Sequence, residues 1–199
     1  MCDGGSVVKA FFSKYSYSII KMFVNQFAIS IFGAVLSMAT DASGKRGLTI
    51  FVSCFAILFY LFLIYTMTWE VGAKDRIHVD MGKMKKHPHT GLVMSIIANI
   101  PNFIIAIMFT IASPFMATVT WAGNMAAIAA TITVFIQGMF LGCITSFSIG
   151  DVLLNKFWWT YFLIIVPALV TSWVAYYMGY KEFRLFATLS GKGKANNKK

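Results

Sequence analysis

The side chains best able to do chemistry crowd into one stretch, Glu70–Thr90. It reads EVGAKDRIHVDMGKMKKHPHT and holds all three histidines of the chain. His78 and Asp80 stand two apart and His87 and His89 flank Pro88, so on paper these four offer donors to a divalent metal. The spacing argues against it. A helical zinc site presents two histidines one turn apart on one face, whereas HxD and HPH within a lysine-rich connection describe solvated side chains. No HExxH, GxSxG or GxxxxGK[ST] occurs, so metalloprotease, nucleophile-elbow and phosphate-cradling chemistry have no carrier. The expectation is a chain without catalytic residues, cofactor or bound metal, and not an enzyme.

A second polar set is uncharged. Asn25 and Gln26, Asn99 and Asn102 on either side of Pro101, Asn124 and Gln137 interrupt runs that are otherwise apolar. In hydrocarbon an unpaired amide costs several kcal/mol, so each must face protein or a wet cavity. Pro101 has no N–H to give the Ile97 carbonyl, which predicts a kink there. If the amides converge, they form a polar pocket for a small neutral or weakly polar solute; if they do not, they are hydrogen bonds between helices. No acid or base is expected at mid-span, and Asp151 is the nearest candidate, at the boundary with Asn155.

These residues need elements to hold them, and composition says which. Of 199 residues 58% are hydrophobic and 12% charged, against about 25% charged in a soluble domain. A hydrocarbon core about 30 Å thick takes about 20 helical residues. Spans of that length lie near Ser18–Ala39, Leu48–Trp69, Leu92–Ala112, Ala122–Ile149 and Phe157–Met178, with Phe115–Trp121 as a short interfacial or re-entrant piece. The fold class expected is all-α, a polytopic integral membrane bundle of five transmembrane helices. A sixth is possible if the uncharged Phe115–Ile149 run breaks near Gln137-Gly138. Residues 1–186 form one domain, and 187–199 a basic tail. Glu70 marks the exit of the second span, although the residues after it can prolong that helix before Pro88 ends it.

Lysine and arginine in short loops favour the cytoplasm. With five crossings they divide almost evenly between the two sides, whereas an even number of crossings between Lys74–Lys86 and Lys181–Lys199 would bring the two strongest basic segments together. The N-terminus and central loop are expected in the cytoplasm, in a bacterial plasma membrane.

Gly138, Gly142, Ser146 and Gly150 recur every fourth residue and predict a smooth stripe along the fourth span for close helix packing. The net charge of +10 points to anionic lipid headgroups rather than nucleic acid, for which no aromatic stacking surface or folded soluble domain is present. In size, span number and basic loops the chain resembles the small substrate-capturing membrane components of vitamin transporters, on architecture alone. That resemblance implies a non-enzymatic transport component binding a small solute. The alternative is an accessory subunit whose glycine stripe docks another membrane protein.

Overall fold

The computed structural model describes residues 4–84 and 87–181; Lys85, Lys86 and the basic tail lie outside them. Two long helices, α1 (Gly4–Asp41) and α2 (Arg46–Asp80), are joined by a turn in which Gly44 takes φ 69°, a left-handed conformation that costs glycine little. They run antiparallel. The Ser37 and Ser53 hydroxyls are 3.0 Å apart near the turn, and at the far end the Tyr15 hydroxyl reaches Asp75.

α2 does not stop at Trp69. Its buried positions Ile64, Thr68, Gly72 and Asp75 keep the spacing of three and four that puts residues on one helical face. Along its exposed side Glu70 pairs with Lys74 at 2.7 Å and Arg76 with Asp80 at 3.3 Å, each one turn apart. The charged stretch is therefore helix down to Asp80 rather than connection from Glu70 onward.

The third apolar stretch is broken as Pro101 predicts. α3 (Thr90–Ala98) and α4 (Ile100–Ala112) meet at Asn99 with a bend of 56°. The segment expected to be interfacial is a 3-10 turn, Ser113–Phe115, and a short connection to α5 (Thr120–Gln137). At Gly138–Phe140 a 3-10 turn interrupts the next span before α6 (Leu141–Ser146). The helix ends there rather than at Ile149. Ser148–Ile149 and Val152–Leu153, strands β1 and β2, form a small antiparallel hairpin turned at Gly150, whose φ is 61°. After a 3-10 turn at Leu154–Lys156 come α7 (Thr160–Leu163) and α8 (Val166–Tyr180), parted at Ile164-Ile165 with Pro167 in the first turn of α8. By length and composition four of these helical stretches can cross a membrane, or five if α3 and α4 count as one broken span.

Contacts between helices order their ends. At one end lie Lys14, Tyr15, Asp75 and the C-terminus of α8, because the Tyr176 hydroxyl donates to Asp75 and the Arg76 guanidinium to the Tyr180 carbonyl. At the other end the Arg46 guanidinium donates to the Ser146 carbonyl, and a Cβ on Gly142 would meet Thr49 and Ser53. α3 begins at the first end, where Thr90 stands beside both tyrosines, and α6 finishes at the second. From Thr90 to Ser146 the chain thus moves from end to end once, with α4 and α5 an excursion in between. Two full crossings would have returned Ser146 to Asp75. Consequently α8 ends beside the N-terminal region and the central connection, which the five-crossing count separates.

The glycine stripe is only partly as expected. A Cβ on Gly138 would lie 2.6 Å from the Ser30 carbonyl oxygen and one on Gly142 2.9 Å from that of Thr49, so these two seat α5 and α6 against α1 and α2 of the same chain. Ser146 is buried and its carbonyl is held by Arg46. Gly150 is not on the stripe, since it turns the hairpin with open space around it. The closest helix approach lies elsewhere, between α2 and α8: Gly72 faces the Tyr176 carbonyl and Gly179 faces that of Trp69. Gly91 brings α3 onto the same turn of α8, with the Ser172 carbonyl 2.6 Å from where its Cβ would be.

Candidate functional site

Three glycines therefore draw α2, α3 and α8 together around one acid. Asp75 is 2% exposed. Its Oδ2 accepts from the Tyr15 hydroxyl at 2.6 Å and the Tyr176 hydroxyl at 2.8 Å, and its Oδ1 lies 2.7 Å from the Lys14 ammonium. The Thr90 hydroxyl stands beside both phenols and donates to the His87 carbonyl at 3.0 Å. A buried carboxylate is tolerated only when its charge is paired and its lone pairs are filled, and this one has an ammonium and two hydroxyls. The arrangement ties α1, α2 and α8 to a single side chain.

Beside it opens a cleft of about 720 Å³, lined from α1 by Phe11, Lys14 and Tyr15, from α2 by His78, from the connection by Lys83, Met84 and His87, and from α3 by Thr90 and Val93. That volume falls in the range of small-molecule sites. The walls are mainly apolar, and every ionisable group on them is a lysine, a histidine or a tyrosine. The Nδ1 atom of His78 is buried and has no hydrogen-bond partner among the described residues.

The amides singled out from the sequence do not meet there. The Gln26 amide and the Ser30 hydroxyl both donate to the Ile136 carbonyl, at 3.1 and 2.6 Å, where α5 gives way to its 3-10 turn and a carbonyl needs a donor. Gln137 is buried at the same break, and Asn25 on α1 is half-buried. At the other break, Asn99 donates to the Ser95 carbonyl at 2.8 Å and Asn102 to Asn99 Oδ1 at 2.7 Å, with Pro101 half-buried between them. Asn102 Oδ1 has no partner among the described residues. Asn124 is exposed on α5, and Asp151 is exposed in the hairpin turn. Gln26 and Gln137 thus gather at one helix break and Asn99 and Asn102 at the other, while Asn25 and Asn124 stand apart.

No family model, curated protein or solved structure matches the chain. Its chemistry must be read from this geometry. Among the described residues no group of three or more His, Cys, Asp or Glu is placed to hold a metal ion, and Asp75 is enclosed by its partners, away from open solvent. What the arrangement offers is a pocket with cationic and apolar walls, backed by a rigid ion-pair knot.

Sequence reasoning missed Asp75, Tyr15 and Tyr176. The signal lay in Ile64, Thr68, Gly72 and Asp75, a helical face that continues past the apparent exit at Glu70. Tyr176 carries no signal of its own, because nothing local shows that a carboxylate stands opposite it.

Proposed function

We propose that the chain is an integral membrane protein of non-enzymatic, transport-related type, which takes a small solute into the cleft between α1 and α3. It sits in a bacterial plasma membrane with the cleft end in the cytoplasm. The observation carrying this reading is the interrupted passage between Thr90 and Ser146. α3 leads from the cleft to the break at Asn99, and α6 resumes beyond the break at Gly138. Broken helices at membrane depth are tolerated where protein buries them or where they line a cavity, and discontinuous helices are how many transporters build their sites.

The order of the ends supports the orientation. Lys9, Lys14, Lys21, Lys74, Arg76, Lys83 and Lys181 fall at the cleft end, with only Lys45, Arg46 and Lys156 at the other among the described residues. The near-even balance expected from five crossings becomes a clear bias toward one side. Single cysteines at Ser43, Lys83, Asp151 and Lys181, in a background freed of Cys2, Cys54 and Cys143, test this. Lys83 and Lys181 are expected to be shielded from an impermeant thiol reagent in intact cells while Ser43 and Asp151 react. Asp151 shielded together with Lys83 would restore five full crossings.

Solute binding is tested by purification in mild detergent with mass spectrometry of whatever the protein retains. A stoichiometric small molecule is expected, and it should be lost when Val93→Trp fills the cleft from its apolar wall. A protein that retains nothing overturns the reading.

The break at Asn99 gives a further expectation. Pro101→Ala offers the Ile97 carbonyl the helical i+4 N–H that proline cannot supply, in place of the shorter-range bond it accepts at the end of α3, and should reduce the 56° bend. Spin labels at Ile96 and Ile111, both exposed, would then move apart. An unchanged distance would assign the bend to the Ser95–Asn99–Asn102 hydrogen bonds instead.

A further inference from the structure

The cleft has a directional chemistry that narrows what can fill it. Its polar rim carries Lys14, Lys83, His78 and His87, and among the described residues no acidic side chain lines it. Lys14 is already committed to Asp75, but Lys83 is exposed and in no salt bridge among the described residues, and the buried His78 Nδ1 is unpartnered. The rim therefore has unused capacity to hold an anion. Below it the wall is apolar, formed by Ala10, Phe11 and Val93. This wall continues onto side chains that face outward from the bundle: Val8 and Phe12 on α1, exposed by 56% and 44%, and Ile96 on α3 and Ile100 at the start of α4, exposed by 41% and 47%. An opening that is cationic at the end of the bundle and apolar toward its flank suits a molecule with a phosphate at one end and a hydrocarbon chain at the other. A freely soluble anion would leave the apolar wall uncovered.

We infer that the cleft is a binding site for a phospholipid with an anionic headgroup, entered sideways from the bilayer between α1 and α3. This rests on the proposed solute-binding role of the cleft and names the class of solute. Lys83 and His87 grip the phosphate through charge-assisted hydrogen bonds, and one acyl chain lies along Phe11 and Val93.

The test uses the full-length protein in detergent, with dioleoyl phosphatidic acid, dioleoyl phosphatidylcholine and inorganic phosphate as probes and native mass spectrometry as the readout. Phosphatidic acid is expected to remain bound where phosphatidylcholine is lost, and excess inorganic phosphate should not displace it. Lys83→Gln with His87→Gln, both exposed positions, should weaken retention roughly tenfold or more, the worth of a lost charge-assisted hydrogen bond. Lys45→Gln at the opposite end should leave it unchanged. Equal loss from Lys45→Gln and from the double variant would mean diffuse attraction to the protein's positive charge and would overturn the site. Displacement by inorganic phosphate alone would overturn the lipid as its source. If a neutral solute is retained and is lost on Val93→Trp, while phosphatidic acid is not held above phosphatidylcholine, the lipid inference falls and the solute-binding reading stands. If nothing is retained in the cleft, both fall.

Discussion

Asp75→Ala is expected to lower the stability of the folded bundle by about 3–5 kcal/mol, the cost of removing one member of a buried hydrogen-bonded charge cluster. In a chain of this length that corresponds to a fall in Tm on the order of 10 °C. The variant leaves two phenolic hydroxyls and an ammonium converging on an empty place, and Met84 Sδ, 3.9 Å from the Tyr15 hydroxyl, is a weak substitute acceptor. The effects of the partners should be graded. Tyr15→Phe and Tyr176→Phe each remove one hydrogen bond to a charged acceptor, worth about 1.5–3 kcal/mol. Lys14→Ala should cost less, about 1 kcal/mol or below, because the lysine side chain is 35% exposed and water screens its half of the pair. The two tyrosines share one oxygen, so the double variant Tyr15→Phe/Tyr176→Phe should fall short of the sum of the single ones. Thermal unfolding in a fixed detergent measures all five proteins. Asp75→Ala within about 1 kcal/mol of the parent chain would show that the cluster does not hold α1, α2 and α8 together.

How far the fold could be read beforehand depended on the range of the signal. The apolar stretches announce themselves residue by residue, so all five were legible, and Pro101 announced the break between α3 and α4 because a missing N–H is a local fact. The ends of the helices were less legible. Glu70 reads as the exit of α2 only while charge is taken to mean solvent; the helix carries on because Gly72 and Asp75 have partners on α8 and α1 that are about 100 and 60 positions away in the chain. Gly150 fitted a four-residue repeat by coincidence of spacing, although Gly150-Asp151 is equally a turn signal, and the hairpin uses it as one. The end-to-end order was illegible for a deeper reason: composition counts apolar stretches, and the α4–α5 excursion is as apolar as a crossing. The site divides in the same way. The amides at Gln26, Asn99 and Asn102 were visible as polar groups that must be satisfied, and each makes a hydrogen bond at a helix break. The Asp75 cluster was invisible because it is assembled from three helices.

The seam that assembles it should be the least tolerant place in the chain. At Gly72 an added Cβ would run into the Tyr176 carbonyl and lie 3.0 Å from the Tyr180 amide; at Gly179 it would meet the Trp69 carbonyl and lie 3.0 Å from that residue's Cα. All of these are backbone atoms, so no rotamer change relieves the clash and the two helices must part. Parting draws the Tyr176 hydroxyl away from Asp75, which couples overpacking at the seam to loss of the ion-pair knot. Gly72→Ala and Gly179→Ala should therefore each cost about 3 kcal/mol or more, the upper end of what an inserted methyl does in a packed interior, and Gly179→Leu should leave no folded protein. Gly47 supplies the contrast, since a Cβ there meets nothing within 4 Å. Near the start of α2, Gly47→Ala is expected to stabilise by up to about 1 kcal/mol, through helix propensity alone. Substitutions of the same chemical size on the same helix thus have opposite signs, separated by about 4 kcal/mol. Size-exclusion chromatography of each variant with its thermal midpoint measures the difference. Equal stability of Gly72→Ala and Gly47→Ala would show that α2 and α8 have room to spare, and the close approach that places Tyr176 over Asp75 would lose its basis.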